Sequence, residues 1–165
     1  MQKKTTPFLW FNDNAEEAAK FYVSVFKNSK ILSVTRWPKE ALGKQGTVMI
    51  VKFEIDGDEF VGLNGGPTYS FTEAISFWVK CDTQDEIDEL WEKLSAGGEK
   101  RECGWLKDKF GVCWQIVPSS LEELIADDDQ ERFDRVMKTV WQMEKLDIGE
   151  LQKAYQGGEA GSNSN

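Results

Sequence analysis

The side chains able to do chemistry in this chain are carboxylates, amides and three thiols, because it contains no histidine. That removes Ser-His-Asp and Cys-His catalysis and every imidazole-ligated metal centre. Cys81, Cys103 and Cys113 form no Cys-x-x-Cys pair, so neither a structural zinc site nor a disulfide framework is expected. With no histidine or basic residue in evidence to lower its pKa, Cys113 reads as a small buried hydrophobe before a nucleophile. Glu59, Glu73 and Asp108 are the carboxylates placed to act as a general base. Nothing in their spacing pairs them, so they read as solvated charges.

Seven Trp and ten Phe exceed what packing alone asks of 165 residues, which points to an aromatic-lined cavity beside the core. A net charge of -9 without any Lys/Arg-rich run argues against nucleic acid and anionic membrane surfaces as partners. No apolar stretch approaches the ~18 residues of a membrane span, and no charged-then-apolar leader precedes the first strand. A cytoplasmic protein is therefore expected.

The elements that must position these residues read as one plan made twice. In the first half, 6–11 (TPFLWF) is a strand, and Asn14 with Glu17 signals a capping box. Ala15, Ala18, Ala19, Tyr22, Val23 and Phe26 then make one helical face. Strands follow at 31–36, 47–55 and 59–64, the last two joined by an Asp56-Gly57 hairpin turn. In the second half a strand spans 74–79, and Thr83 with Glu86 repeats the capping box. Ile87, Leu90, Trp91 and Leu94 form its buried stripe. Asn14 and Thr83 lie 69 residues apart, and the same offset carries Phe21-Tyr22 onto Leu90-Trp91, a sign of internal repetition. Short strands near 100–103 and 112–117 follow, separated by the turn-rich CGWLKDKFG.

The fold class expected is α+β, with two tandem βαβββ modules forming curved mixed sheets around a cleft, plus C-terminal helices. The modules span 1–67 and 68–118, a helical appendage 119–156, and a disordered tail 157–165. Ser120 with Glu123 begins the appendage. Phe133, Val136, Met137, Val140 and Trp141 form an apolar stripe that docks on its own domain or on a second subunit. Asp147 with Glu150 starts the last helix.

With TPFLWF at 6–11, N-A-E-E-A-x-x-F-Y at 14–22, L-N-G-G-P at 63–67 and F-T-E-A-I-S-F at 71–77, the chain closely resembles the PhnB-like branch of the vicinal oxygen chelate superfamily. This branch, often labelled 3-demethylubiquinone methyltransferase-like, shares its fold with glyoxalase I, extradiol dioxygenases and bleomycin-resistance proteins. C-G-W-L-K-D-K-F-G at 103–111, W-Q-I-V-P at 114–118 and the M-K-x-x-x-Q-M-x-K-L-D-I run at 137–148 extend the resemblance over about residues 4–155.

The resemblance implies four metal-ligand positions, falling near Pro7, Asn64, Ala74 and Gln115. None is His, Asp or Glu, so no metal and no other cofactor is expected. The nearest approach to a nucleotide-binding turn, Gly62-x-x-Gly65-Gly66, leads into Pro67 instead of a helix and reads as a strand exit.

If Asn64 and Gln115 face the cleft, alternation brings Phe60, Gly62 and Cys113 with them and turns Val61, Leu63, Trp114 and Ile116 to the helices. Ser76 and Trp78 face in with Ala74, Leu9 and Phe11 with Pro7, and Trp105 covers the cleft from the loop before the last strand. The expected ligand-binding set is thus Leu9, Phe11, Phe60, Asn64, Ser76, Trp78, Trp105, Cys113 and Gln115. Asn64 serves equally as a cap for the Gly-Gly turn, Gln115 as a bond to a neighbouring strand, and Trp78 as packing. Two functions fit: a homodimeric module holding a small organic ligand, or an enzyme of the superfamily type acting on one. The missing histidines favour the first.

Overall fold

The computed structural model describes residues 3–157. The chain divides into two compact units between Phe71 and Thr72.

In the first unit, β1 (Phe8–Phe11), α1 (Ala15–Val25), β2 (Lys30–Arg36), β3 (Val48–Ile55) and β4 (Asp58–Asn64) form a sheet of order β1-β4-β3-β2 with one helix. β1 runs parallel to β4, which forces the chain through a crossover helix, and the other neighbours are antiparallel. Asp56 and Gly57 both take positive φ (48° and 80°), the conformation of a tight hairpin turn. Ala15, Ala18, Ala19 and Tyr22 of α1 are buried. Tyr22 stacks on Phe53 at 6.0 Å, and Phe53 on Phe60 at 5.6 Å. Each such ring withdrawn from water stabilises the unit by roughly 1.5–3 kcal/mol.

The second unit repeats the order. β5 (Phe77–Cys81), α2 (Gln84–Ser95), β6 (Glu99–Lys100), β7 (Trp105–Lys107) and β8 (Cys113–Pro118) make a sheet of order β5-β8-β7-β6. β5 starts three residues beyond the expected 74, leaving Ala74 in the preceding turn. The stretch expected to be only turn contains β7, where buried Leu106 alternates with half-buried Trp105 and Lys107. Its N-terminal turn is held from outside the sheet. Cys103 and Gly104 take positive φ and donate to the carbonyls of Met143 and Glu144 at 2.8 and 2.7 Å.

Three helices follow, α3 (Leu121–Ile125), α4 (Gln130–Trp141) and α5 (Ile148–Gln156). Their core joins Leu121, Leu124, Val136, Val140, Leu146 and Leu151 to Val117 of β8. Val136 and Val140 of the expected α4 stripe are buried, whereas Trp141 is 64% exposed. The capping residues divide. Thr83 accepts from Glu86 N–H, while Glu86 reaches past the cap residue to accept from Asp82 N–H, and Asp147 accepts from Glu150 N–H. Ser120 makes no cap bond, because its own backbone is already helical (φ -71°, ψ -13°). Of the tail expected at 157–165, everything after Gly157 lies outside the described residues.

Candidate functional site

In the second sheet the central strand β8 places Gln115 between two indoles. Gln115 is the ladder partner of Trp78 on β5 and of Trp105 on β7. Ladder partners present their side chains to the same face, so Trp78, Gln115 and Trp105 form one row across three strands. Gln115 and Trp105 are half-buried and Trp78 is 41% exposed. Gln115 Nε2 donates to Ser76 Oγ at 2.9 Å. Among the described residues Gln115 Oε1 has no hydrogen-bond partner. Cys113 lies on the same face two residues back, 2% exposed, and burial holds its thiol above the usual range, with the Glu73 carboxylate adding to the effect. It is a packing thiol, not a poised nucleophile. Trp105 thus belongs to a strand and not to a covering loop.

The first unit inverts the expected facing. Phe60 stacks on Phe53, and a Cβ on Gly62 would lie 3.3 Å from Ala15 Cβ, so both face α1. Asn64 Oδ1 accepts from Ala15 N–H at 2.9 Å, and its Nδ2 donates to Val48 C=O at 3.1 Å. Leu9 and Phe11, ladder partners of Gly62 and Asn64, are buried on the same side. Leu9, Phe11, Phe60 and Asn64 therefore build the helix–sheet core, and Val61 and Leu63 take the opposite face.

The two registers show why. The last ladder pair before each helix is Phe11–Asn64 in one unit and Cys81–Pro118 in the other. Counting three residues back from Asn64 and from Pro118, the counterpart of Gln115 is Val61. The offset of 69 that aligns the caps is one residue short for the strands, since Phe11 to Cys81 is 70. A one-residue slip sends every side chain to the other face.

The carboxylates are committed elsewhere. Glu73 meets Arg101 Nη1 at 2.8 Å and Lys107 Nζ at 3.5 Å. A backbone hydrogen bond at its own residue, then Arg101 and Lys107, hold its carboxyl below the usual range. That makes it a poor general base near neutral pH. Asp108, expected as a solvated charge, is 2% exposed and accepts from Phe110 N–H, Val112 N–H and Trp114 Nε1–H. It organises the β7–β8 turn. Glu59 remains exposed. Beside Trp105 an open hollow of about 570 Å³ is lined by Glu73, Lys100, Arg101, Glu102 and Glu144. Arg101, Lys107 and Glu144 escaped the sequence reading, because partners 28 and 34 residues apart on different elements leave no spacing signal.

The donor set does not fit the superfamily's metal. Pro7 and Ala74 carry no side-chain donor atom, both amide atoms of Asn64 are engaged, and Val61, which holds Gln115's place in the first unit, is apolar. Among the described residues no three Cys, Asp or Glu side chains gather as ligands. Nor does the glycine stretch form a phosphate cradle. The Trp10 indole lies against Gly65, where a Cβ would sit 2.3 Å from Cε2, and Trp10 Nε1 donates to Gly66 C=O at 2.9 Å.

A βαβββ unit made twice, with a parallel outer pair and a polar group on the central strand, defines a protein of the vicinal oxygen chelate fold. The chain belongs to the family described as 3-demethylubiquinone-9 3-methyltransferase, whose model matches residues 3–117. A PhnB protein from Bacillus cereus is 38% identical, with a TM-score of 0.64, and the match covers 70% of this chain and 99% of that one. PA1353 from Pseudomonas aeruginosa shares the fold at 19% identity and TM-score 0.61, covering 71% and 98%. So does the fosfomycin resistance protein FosX from Mesorhizobium loti, at 14% and 0.56, covering 77% and 99%. No curated protein matches the chain. The helices from Leu121 onward lie beyond the stretch the family model matches. Among the described residues no helix is long and apolar enough to cross a membrane.

Proposed function

We propose that the protein binds a small organic molecule, without a metal, on the sheet face of the second unit that carries Trp78, Gln115 and Trp105. The observation that carries this reading is the row itself. A half-buried amide with an uncommitted acceptor stands between two indoles, one of them a large apolar surface left 41% exposed. Apolar walls with few placed polar groups are what small-molecule sites are made of. The protein acts as a cytoplasmic homodimer in this reading, and the exposed Trp141 of α4 is its candidate contact. The family's description names a methyltransferase, but nothing in this chain's glycine stretch or carboxylates supports a cofactor cradle or a general base.

The test is a fragment screen by thermal shift and calorimetry on the full chain, repeated on Trp78→Ala and Trp105→Ala. Neutral aromatic fragments are expected to raise the melting temperature of the parent and to lose at least about tenfold in affinity in both variants. Fragments that bind all three proteins alike, or none that bind, would overturn the reading.

A further inference from the structure

We infer that the Gln115 site selects a flat ring bearing a hydrogen-bond donor and acceptor side by side, the edge presented by a cyclic lactam. This rests on the ligand-binding role proposed above and names its ligand class. The argument begins with the Gln115–Ser76 bond. Because Gln115 Nε2 donates to Ser76 Oγ at 2.9 Å, the hydroxyl oxygen uses a lone pair and keeps its own proton for another acceptor. Among the described residues, neither that O–H nor Gln115 Oε1 has a partner. The pair therefore offers one donor and one acceptor on hydrogen-bonded side chains, both uncharged.

An ion gains little from such a pair. A purely apolar ligand would cover both groups and leave them unsatisfied, which the site penalises. A lactam edge satisfies both at once, its carbonyl accepting from Ser76 and its N–H donating to Gln115 Oε1.

Ring shape follows from the register. Trp78 and Trp105 stand one strand to either side of Gln115, so their Cα atoms are about 10 Å apart. One ring between two indoles at stacking distances of roughly 4.5–5 Å per side needs the same span. The charged groups nearby do not compete for the ligand, since Glu73 is held by Arg101 and Lys107, and Arg101 also by Glu99.

The experiment is calorimetric titration of the full chain with isoquinolone and with its N-methyl derivative, which has the same ring but no N–H. Isoquinolone should bind, and the methylated ring should bind at least about tenfold more weakly. Gln115→Leu should erase most of that difference, whereas Ser76→Ala, which removes the donor to the carbonyl both rings share, and Trp78→Ala should weaken both rings without changing their ratio. Equal binding of the two rings, a preference that survives Gln115→Leu, or isoquinolone affinity unchanged in Ser76→Ala would overturn the lactam edge and leave the ligand-binding role standing. If isoquinolone does not bind, the inference fails; if the fragment screen is also empty, so does the reading beneath it.

Discussion

Asn64 Oδ1 accepts from Ala15 N–H at 2.9 Å, so the first helix is capped from a strand 49 residues away and not by the Asn14 beside it. Asn14 makes no side-chain cap bond. The other end of the same amide donates to Val48 C=O, so one side chain ties helix, β3 and β4 together. Replacing it with Ala leaves a helix N–H and a strand carbonyl without partners. We expect Asn64→Ala to lose about 1–3 kcal/mol in urea unfolding. Asn64→Asp keeps the acceptor and adds a charge favoured at a helix N-terminus, and should lose less. Equal losses in the two variants would refute the cap.

Gly65 is required by contact. A Cβ there would fall 2.3 Å from Trp10 Cε2, so Gly65→Ala must displace the indole and break its bond to Gly66. The variant should melt several degrees lower. Gly65→Ala combined with Trp10→Ala should cost less than the two changes added, which a double-mutant cycle measures.

Metal binding should be absent. Titrating Mn²⁺, Ni²⁺ or Zn²⁺ into the untagged protein is expected to give no stoichiometric heat, and elemental mass spectrometry no equimolar metal. Tight binding lost on changing Gln115 would reverse this.

The thiols set a pH limit. Burial, then the Glu86 and Asp82 carboxylates, push the Cys81 thiol up to about 12 from an ordinary value of 9.0. The unfolded chain therefore releases this proton first, and Cys81 costs no stability below about pH 9. Above it stability falls as pH rises toward 12. Cys81→Ser or Cys81→Ala should flatten that alkaline loss in chemical unfolding. In the native protein, Cys103, the half-buried thiol, should react with a disulfide reagent before Cys81 and Cys113.

Homodimerisation is checked by light scattering. The mass should be twice that of the chain, and Trp141→Lys should return it to one chain if α4 forms the contact.

Much of this fold was legible because its signals are local. The Asp56-Gly57 turn, the Thr83–Glu86 cap and the Ala15–Tyr22 stripe each lie within a few residues and dictate their own geometry. The short strand Trp105–Lys107 was not legible, since the turn that leads into it, Cys103-Gly104, is held by Met143 and Glu144 carbonyls from 40 residues away. The site was half legible. Alternation from Gln115 placed Cys113, and alternation from Ala74 placed Ser76 and Trp78, on the face that Gln115 shares with Trp78, whereas the same rule applied to Asn64 chose the wrong face. Its amide looks the same in sequence whether it meets a ligand or a helix.

By itself, the sequence determined the two-module plan, the absence of imidazole chemistry and the aromatic and amide residues from which the candidate site is proposed, since composition and short-range periodicity carry all three. Only the tertiary structure decided that Asn64 is a cap, that Val61 stands where Gln115 has its counterpart, and that Glu73 is neutralised by Arg101. The first two depend on strand register, where a shift of one residue costs nothing in composition and reverses every side chain, and the third on two loops that the fold alone brings together.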